Sequence, residues 1–195
     1  MTSEQSPVSI PTLQQMKRDA RKIVGVVAWD TQMAQIADRA GVEIVSVGDS
    51  VGVNLWGHAS PLEVTLEEML VVCKAVRRGV KRALVSCDFP FGPLQQGSDA
   101  ALKAAIRVVK EAGADMIKLD GAADFPEAVT AIKRAGIPVF AQFGMTPQTA
   151  LQSGVERGEA CRCATACGAK KLRGAGGHRG YRCDPAQCAG IEPIA

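Results

Sequence analysis

Five apolar runs of strand length, each followed by a stretch with helical spacing, constrain this chain more than any other feature. The runs are KIVGVVAW (Lys22–Trp29), VEIVSVG (Val42–Gly48), RALVSCD (Arg82–Asp88), ADMIKLDG (Ala114–Gly121) and IPVFAQFG (Ile137–Gly144). Thr31–Gly41, Thr65–Gly79, Ser98–Gly113 and Asp124–Gly136 carry apolar residues at helical intervals, and each ends on Gly, a common helix stop. Near-continuous apolar strands are covered on both faces, which implies a parallel sheet and an α/β fold with right-handed crossovers. Thr65 and Glu68 match a capping box. Ser98 reads as the cap of its helix, and Thr12 as the cap of a helix through Leu13–Arg21. Thr146–Gln152 opens a further helix with Pro147 at the favoured first position.

A doubly wound sheet and a TIM barrel share this rhythm. The polar residues separate them. Asp30, Asp49, Asp88, Lys118 with Asp120, and Gln142 fall at the C-terminal ends of successive strands. In a barrel those ends form one rim, where the chemistry sits; a doubly wound sheet concentrates it at one switch point. The expectation is therefore a TIM (β/α)8-type barrel. Such a barrel has eight units in about 250 residues, and five units are written here, so the barrel reads as truncated after about the fifth. The chain divides into an N-terminal lead-in and helix (1–21), a partial barrel (22–152) and a tail (153–195).

Composition excludes some partners. The chain is 47% hydrophobic and 22% charged, ordinary for a soluble domain. A net charge of +3 is too small to point to nucleic acid. No apolar run matches a signal peptide or approaches the roughly 18 residues of a membrane helix, so a cytoplasmic protein is expected. Cys73 and Cys87 lie in the body, whereas Cys161, Cys163, Cys167, Cys183 and Cys188 crowd the tail. A disulfide framework conflicts with the cytoplasm. The tail is rich in Arg, Gly, Ala and Cys, as a GC-rich gene read out of frame would be, and we read it as frameshifted or disordered. A metal-binding tail that also uses His178 is the alternative, although C-x-C-x3-C…C-x4-C is not a familiar zinc spacing.

Three stretches carry the chemistry. VGDSVG puts Asp49 and Ser50 on a glycine-flanked turn; an Asx or capping turn is the bland explanation. Asp88 directly follows an apolar strand and precedes Phe89-Pro90-Phe91, where a turn cap is the competing role. Lys118 and Asp120 flank Leu119, so both side chains point to one side of their strand; an internal salt bridge is the alternative. An oxygen-rich set of Asp49, Asp88 and Asp120 suits Mg²⁺, a Lewis acid for a bound carbonyl. His58 reads as a solvated loop residue, Trp29 and Trp56 as packing residues, and Cys87 as a small buried one.

VGDSVG, Gly57-His58 with Pro61 and Val64-Thr65, AVRRG, CDFPF and GMTPQ (Gly144–Gln148), in this order, resemble signatures of the ketopantoate hydroxymethyltransferase family (3-methyl-2-oxobutanoate hydroxymethyltransferase) across about Lys22–Gln152. The resemblance implies a Mg²⁺-dependent barrel of the phosphoenolpyruvate mutase/isocitrate lyase superfamily. It implies hydroxymethyl transfer from 5,10-methylenetetrahydrofolate to 3-methyl-2-oxobutanoate, giving 2-dehydropantoate in pantothenate and coenzyme A synthesis, by a homo-oligomer. It further implies that Asp49, Ser50, Asp88 and Lys118 contact the keto acid, that Lys118 stabilises its enolate, and that Asp49, Asp88 and Asp120 serve the metal.

This sequence departs from the family pattern in three places. Asp120 stands where the family usually has Glu, and Gln142 where it commonly has His. The family's general base, a Glu on a later strand, has no counterpart in context; neither Glu156 nor Glu159 is assigned that role. A form inactive as written is therefore among the expectations. Another Mg²⁺-dependent keto acid C–C bond enzyme of the superfamily and a non-catalytic barrel fragment are the alternatives.

Overall fold

The computed structural model describes residues 6–142 and 146–149. In chain order it holds α1 (Ile10–Arg18), β1 (Gly25–Val27), α2 (Thr31–Arg39), β2 (Ile44–Val47), α3 (Val51–Leu55), α4 (Leu66–Gly79), β3 (Leu84–Asp88), α5 (Ser98–Ala112), β4 (Met116–Asp120), α6 (Pro126–Arg134) and β5 (Val139–Gln142). All five expected strands are present, and each begins two or more residues later than expected.

The strands pair in parallel in the order β1-β2-β3-β4-β5. A doubly wound sheet reverses its order at a switch point, and this sheet does not. The helices α2, α4, α5 and α6 each pack against the next. Right-handed crossovers in a sequentially ordered sheet lay them on a single face, which is the wall of a β/α barrel.

The two faces of the sheet differ chemically. Val45, Val47, Val85, Cys87, Ile117 and Leu119 face the helices in one continuous core with Met69, Val76, Val108 and Ile132. Burying a side chain such as Leu119 or Ile132 is worth about 1.5–3 kcal/mol. The alternate residues Ile44, Leu84 and Met116 form a separate cluster with Val8, against Ile10, Leu13 and Phe140. These are the first residues of their strands, so α1 and the segment before it plug the N-terminal end of the inner face. The C-terminal end of that face is left to polar residues.

Local sequence explains most of the boundaries. Thr65 and Glu68 form the expected capping box: the Thr65 hydroxyl accepts from the Glu68 N–H, and the Glu68 carboxylate accepts from the Thr65 N–H at 2.8 Å. Two caps differ from expectation. Ser9, not Thr12, caps α1, accepting from the Thr12 N–H, because Pro11 lacks a donor and suits the first turn. Gly97, not Ser98, precedes α5, with φ 99° that disfavours a side chain. The long loop after β2 also holds α3 and a 3-10 turn at Pro61–Glu63, which Ser60 and Glu63 cap reciprocally. The helix expected at Thr146–Gln152 is a 3-10 turn at Pro147–Thr149; its remainder, and the tail 153–195, lie outside the described residues. Among the described residues no helix is long and apolar enough to cross a membrane.

Candidate active site

The polar end of the inner face gathers what the strand ends deliver. Asp88 closes β3 and Lys118 is its register partner on β4. The Lys118 Nζ lies 3.0 Å from Asp88 Oδ2 and 3.9 Å from Asp120 Oδ1. Leu119 between them is fully buried against the helices, so the alternation expected of MIKLD holds and turns Lys118 and Asp120 inward. Gln142 on β5 pairs in register with Asp120. Asp49 and Ser50 follow β2, and Asp49 is 7% exposed. The Ser50 hydroxyl makes no capping bond to α3. A Cβ on Gly48 would come within 2.9 Å of Ser50 Oγ and 3.3 Å of Val27, so Gly at 48 lets this turn close over the strand ends.

Burial makes the electrostatics strong. Burial first, and then the neighbouring Asp88 and Asp120 carboxylates, raise the Asp49 pKa to about 7. Burial likewise raises Asp120 to about 6, against the opposing pull of Lys118. Asp88 is also raised by burial, with Lys118 and the Asp49 N–H opposing. Burial works against the Lys118 charge, but Asp88 and Asp120 outweigh it and hold the ammonium protonated. Among the described residues, the site thus gathers three carboxylates and one fixed cation in a largely buried setting.

One atom in this set is left unsatisfied. Asp88 Oδ1 is buried and has no hydrogen-bond partner. A buried carboxylate oxygen without a donor is costly, and a divalent cation is one group that satisfies it. The oxygen-only donor set suits Mg²⁺. Among the described residues, however, no three His, Cys, Asp or Glu side chains are grouped so as to hold an ion by themselves. A Mg²⁺ ion held here would need water or ligand for the rest of its shell, as Mg²⁺ commonly does.

Some expected site residues are used otherwise, and others went unread. The Asp30 carboxylate, placed on the rim from its strand position, caps α2 by accepting from the Met33 N–H at 2.8 Å. His58 is not simply solvated: its backbone N–H donates to the Gly52 carbonyl at 2.9 Å, and its ring lies over Gly52, where an added Cβ would be 2.7 Å from the buried Nδ1. Trp29 packs against the core as expected, while Trp56 is exposed beside the His58 ring, with centroids 5.7 Å apart. Cys87 is buried. The unread residue is Gln148, whose Nε2 donates to Asp49 Oδ2 at 3.2 Å and to the Phe89 carbonyl at 2.8 Å. Thr146, fully buried, hydrogen-bonds Asp120. Both belong to GMTPQ (Gly144–Gln148), whose resemblance to a family signature was the available signal.

Comparison with known proteins agrees with this geometry. The family model for ketopantoate hydroxymethyltransferase matches residues 7–174, wider at both ends than the stretch of quoted signatures. The 3-methyl-2-oxobutanoate hydroxymethyltransferase of Cyanothece sp. (strain PCC 7425 / ATCC 29141) is 47% identical over 150 residues, covering 75% of this chain and 57% of the relative. That of Anaeromyxobacter sp. (strain Fw109-5) is 44% identical over 161 residues, covering 79% and 53%. The chain therefore spans about half the length of these curated relatives. A 2,3-dimethylmalate lyase, described as a PEP mutase/isocitrate lyase superfamily member, superposes with a TM-score of 0.54 at 16% identity, covering 82% of this chain and 59% of that one. A phosphonopyruvate hydrolase in complex with oxalate and Mg++ gives 0.53 at 17%, covering 79% and 57%. At these identities the solved structures speak to the barrel fold alone. The matched model and the curated relatives go further: this chain belongs to the ketopantoate hydroxymethyltransferase family.

Proposed function

We propose that this protein serves hydroxymethyl transfer from 5,10-methylenetetrahydrofolate to 3-methyl-2-oxobutanoate, with Mg²⁺ at the rim. The observation that carries the reading is the unpartnered, buried Asp88 Oδ1 beside Lys118 and the two other carboxylates. Asp88 and Asp49 supply protein oxygens to the cation, with Asp120 next to Lys118 completing the negative surround. Mg²⁺, when bound, acts as a Lewis acid toward the keto acid.

The chain's own residues then have distinct tasks. Lys118 holds a fixed positive charge where negative charge develops as C3 of the keto acid loses its proton. The Ser50 hydroxyl, free of a capping bond, donates to the keto acid. C3 then bonds to the methylene carbon of the folate, the bonds from that carbon to the folate nitrogens break, and water supplies the hydroxyl oxygen. No described residue is assigned as the base that takes the C3 proton. The family relation supports a folate donor, and an assembly of several copies is part of the proposal.

A second reading, a different C–C bond reaction on a Mg²⁺-bound keto acid, is motivated by Asp120 and Gln142 facing each other across β4 and β5. The two readings separate in one experiment. The protein is incubated with Mg²⁺ and 3-methyl-2-oxobutanoate in deuterium oxide, with and without the folate. Formation of 2-dehydropantoate upholds the first reading. Deuterium uptake at C3 without any hydroxymethyl product, in a full-length homologue carrying Asp and Gln at these positions, would overturn it in favour of the second.

A further inference from the structure

We propose that Gln148 and Thr146 are positioning residues, which set the site carboxylates from behind; the inference rests on the metal-site reading above. The Gln148 Nε2 has two hydrogens and meets two acceptors, Asp49 Oδ2 at 3.2 Å and the Phe89 carbonyl at 2.8 Å. Placing Oε1 there would set three acceptors face to face, so the amide can present only its donor. One side chain thereby joins three loops distant in sequence: the turn after β2, the segment after β3 and the turn after β5. Phe89 directly follows Asp88, so anchoring its carbonyl also fixes the chain that bears Asp88.

Thr146 repeats the arrangement on the other side of Lys118. Its hydroxyl is fully buried and hydrogen-bonds Asp120. Pro147 between the two fixes one backbone angle and begins a 3-10 turn. The segment thus sends two polar side chains to two different carboxylates. Asp49, Asp88 and Asp120 repel one another in a buried setting, and without these donors they have reason to swing apart. Mg²⁺ demands near-ideal octahedral geometry, so ligand placement bears on affinity, and groups that hydrogen-bond metal ligands are typically worth about 10–100-fold in binding or activity.

The test uses the full 195-residue chain, its Gln148→Met and Thr146→Val variants, and Mn²⁺ as a paramagnetic probe in place of Mg²⁺. Met keeps much of the volume of Gln and removes the donor; Thr146→Val removes one hydroxyl at constant size and serves should Gln148→Met fail to fold. Mn²⁺ titrations followed by electron paramagnetic resonance are run beside hydrogen–deuterium exchange of the segments 47–52 and 88–91 and metal-free melting curves. The expected result is Mn²⁺ affinity lowered about 10–100-fold in Gln148→Met, less in Thr146→Val, with faster exchange in both segments of Gln148→Met. A merely structural role would lower the melting temperature and leave Mn²⁺ affinity unchanged. Equal Mn²⁺ binding in wild type and variants, with unchanged exchange, overturns the inference. Failure of the wild type itself to bind Mn²⁺ overturns the metal-site reading instead, and the exchange comparison then decides the positioning role alone.

Discussion

Replacing Lys118 with Met removes the ammonium that, among the described residues, pairs with the buried carboxylates of this site, and leaves Asp49, Asp88 and Asp120 facing one another. At an effective dielectric of about 20, an ammonium 3.0 Å from Asp88 and 3.9 Å from Asp120 attracts them by about 5.5 and 4.3 kcal/mol before desolvation is subtracted. Removing one partner of such a buried group typically costs a net of about 3–5 kcal/mol, because the remaining charges stay uncompensated. The cost depends on pH in a defined direction. The carboxylate pKa values are raised in the folded state, Asp49 to about 7 and Asp120 to about 6. The folded state therefore holds more protons than the unfolded one, and stability from these groups declines as pH rises from about 4 through the folded values. Loss of the cation raises those values further. In metal-free urea denaturation followed by far-UV circular dichroism, the Lys118→Met variant should be weaker than wild type by about 3–5 kcal/mol at about pH 8. At about pH 5, where Asp49 and Asp120 are largely protonated, the gap should narrow. A variant as stable as wild type at pH 8, or a gap that widens toward pH 5, would refute the reasoning.

Other expectations follow from the same contacts. At the proposed metal site Mg²⁺ would compete with protons for Asp49, whose pKa is raised to about 7, so the rise in melting temperature on adding Mg²⁺ should grow between about pH 6 and pH 8 and fade near pH 5; paired melts with and without chelator measure it. Gly79→Ala should destabilise by about 1–3 kcal/mol although Ala is the better helix former. The new Cβ would lie 2.9 Å from the Ala34 Cβ and closer still to the Thr31 carbonyl where α4 crosses α2, and a shift of the urea midpoint reports it. Thr65→Ala removes one half of the capping box on α4 and should cost about 1 kcal/mol by the same assay.

The sequence made the strand order and the rim legible because both rest on strong local signals. Near-continuous apolar runs are needed where a sheet is covered on both faces, and the alternation of Lys118 and Asp120 about Leu119 is fixed by the pleat. Asp88 was legible because a carboxylate ending an apolar strand has few other reasons to be there. Asp30 had the same signature and a different role, since position after a strand does not tell a rim ligand from the cap of the next helix. What decides is whether the Met33 N–H is within reach. Gln148 was not legible for a related reason. Its partner Asp49 is 99 residues away, and a polar residue just after a Pro-initiated turn looks solvated until the barrel wall brings three loops together. His58 was misread similarly, because only the absence of a side chain on Gly52 gives its ring a place to lie.

On the proposed function, the rim around Asp88 is a Mg²⁺–keto acid site. Calorimetric titration of 3-methyl-2-oxobutanoate into the protein, with Mg²⁺ or with chelator, and again into an Asp88→Asn variant, tests it most directly. The predicted result is keto acid binding that requires Mg²⁺ and is lost in the variant. Equal binding with chelator present, or undiminished binding by Asp88→Asn, would contradict it.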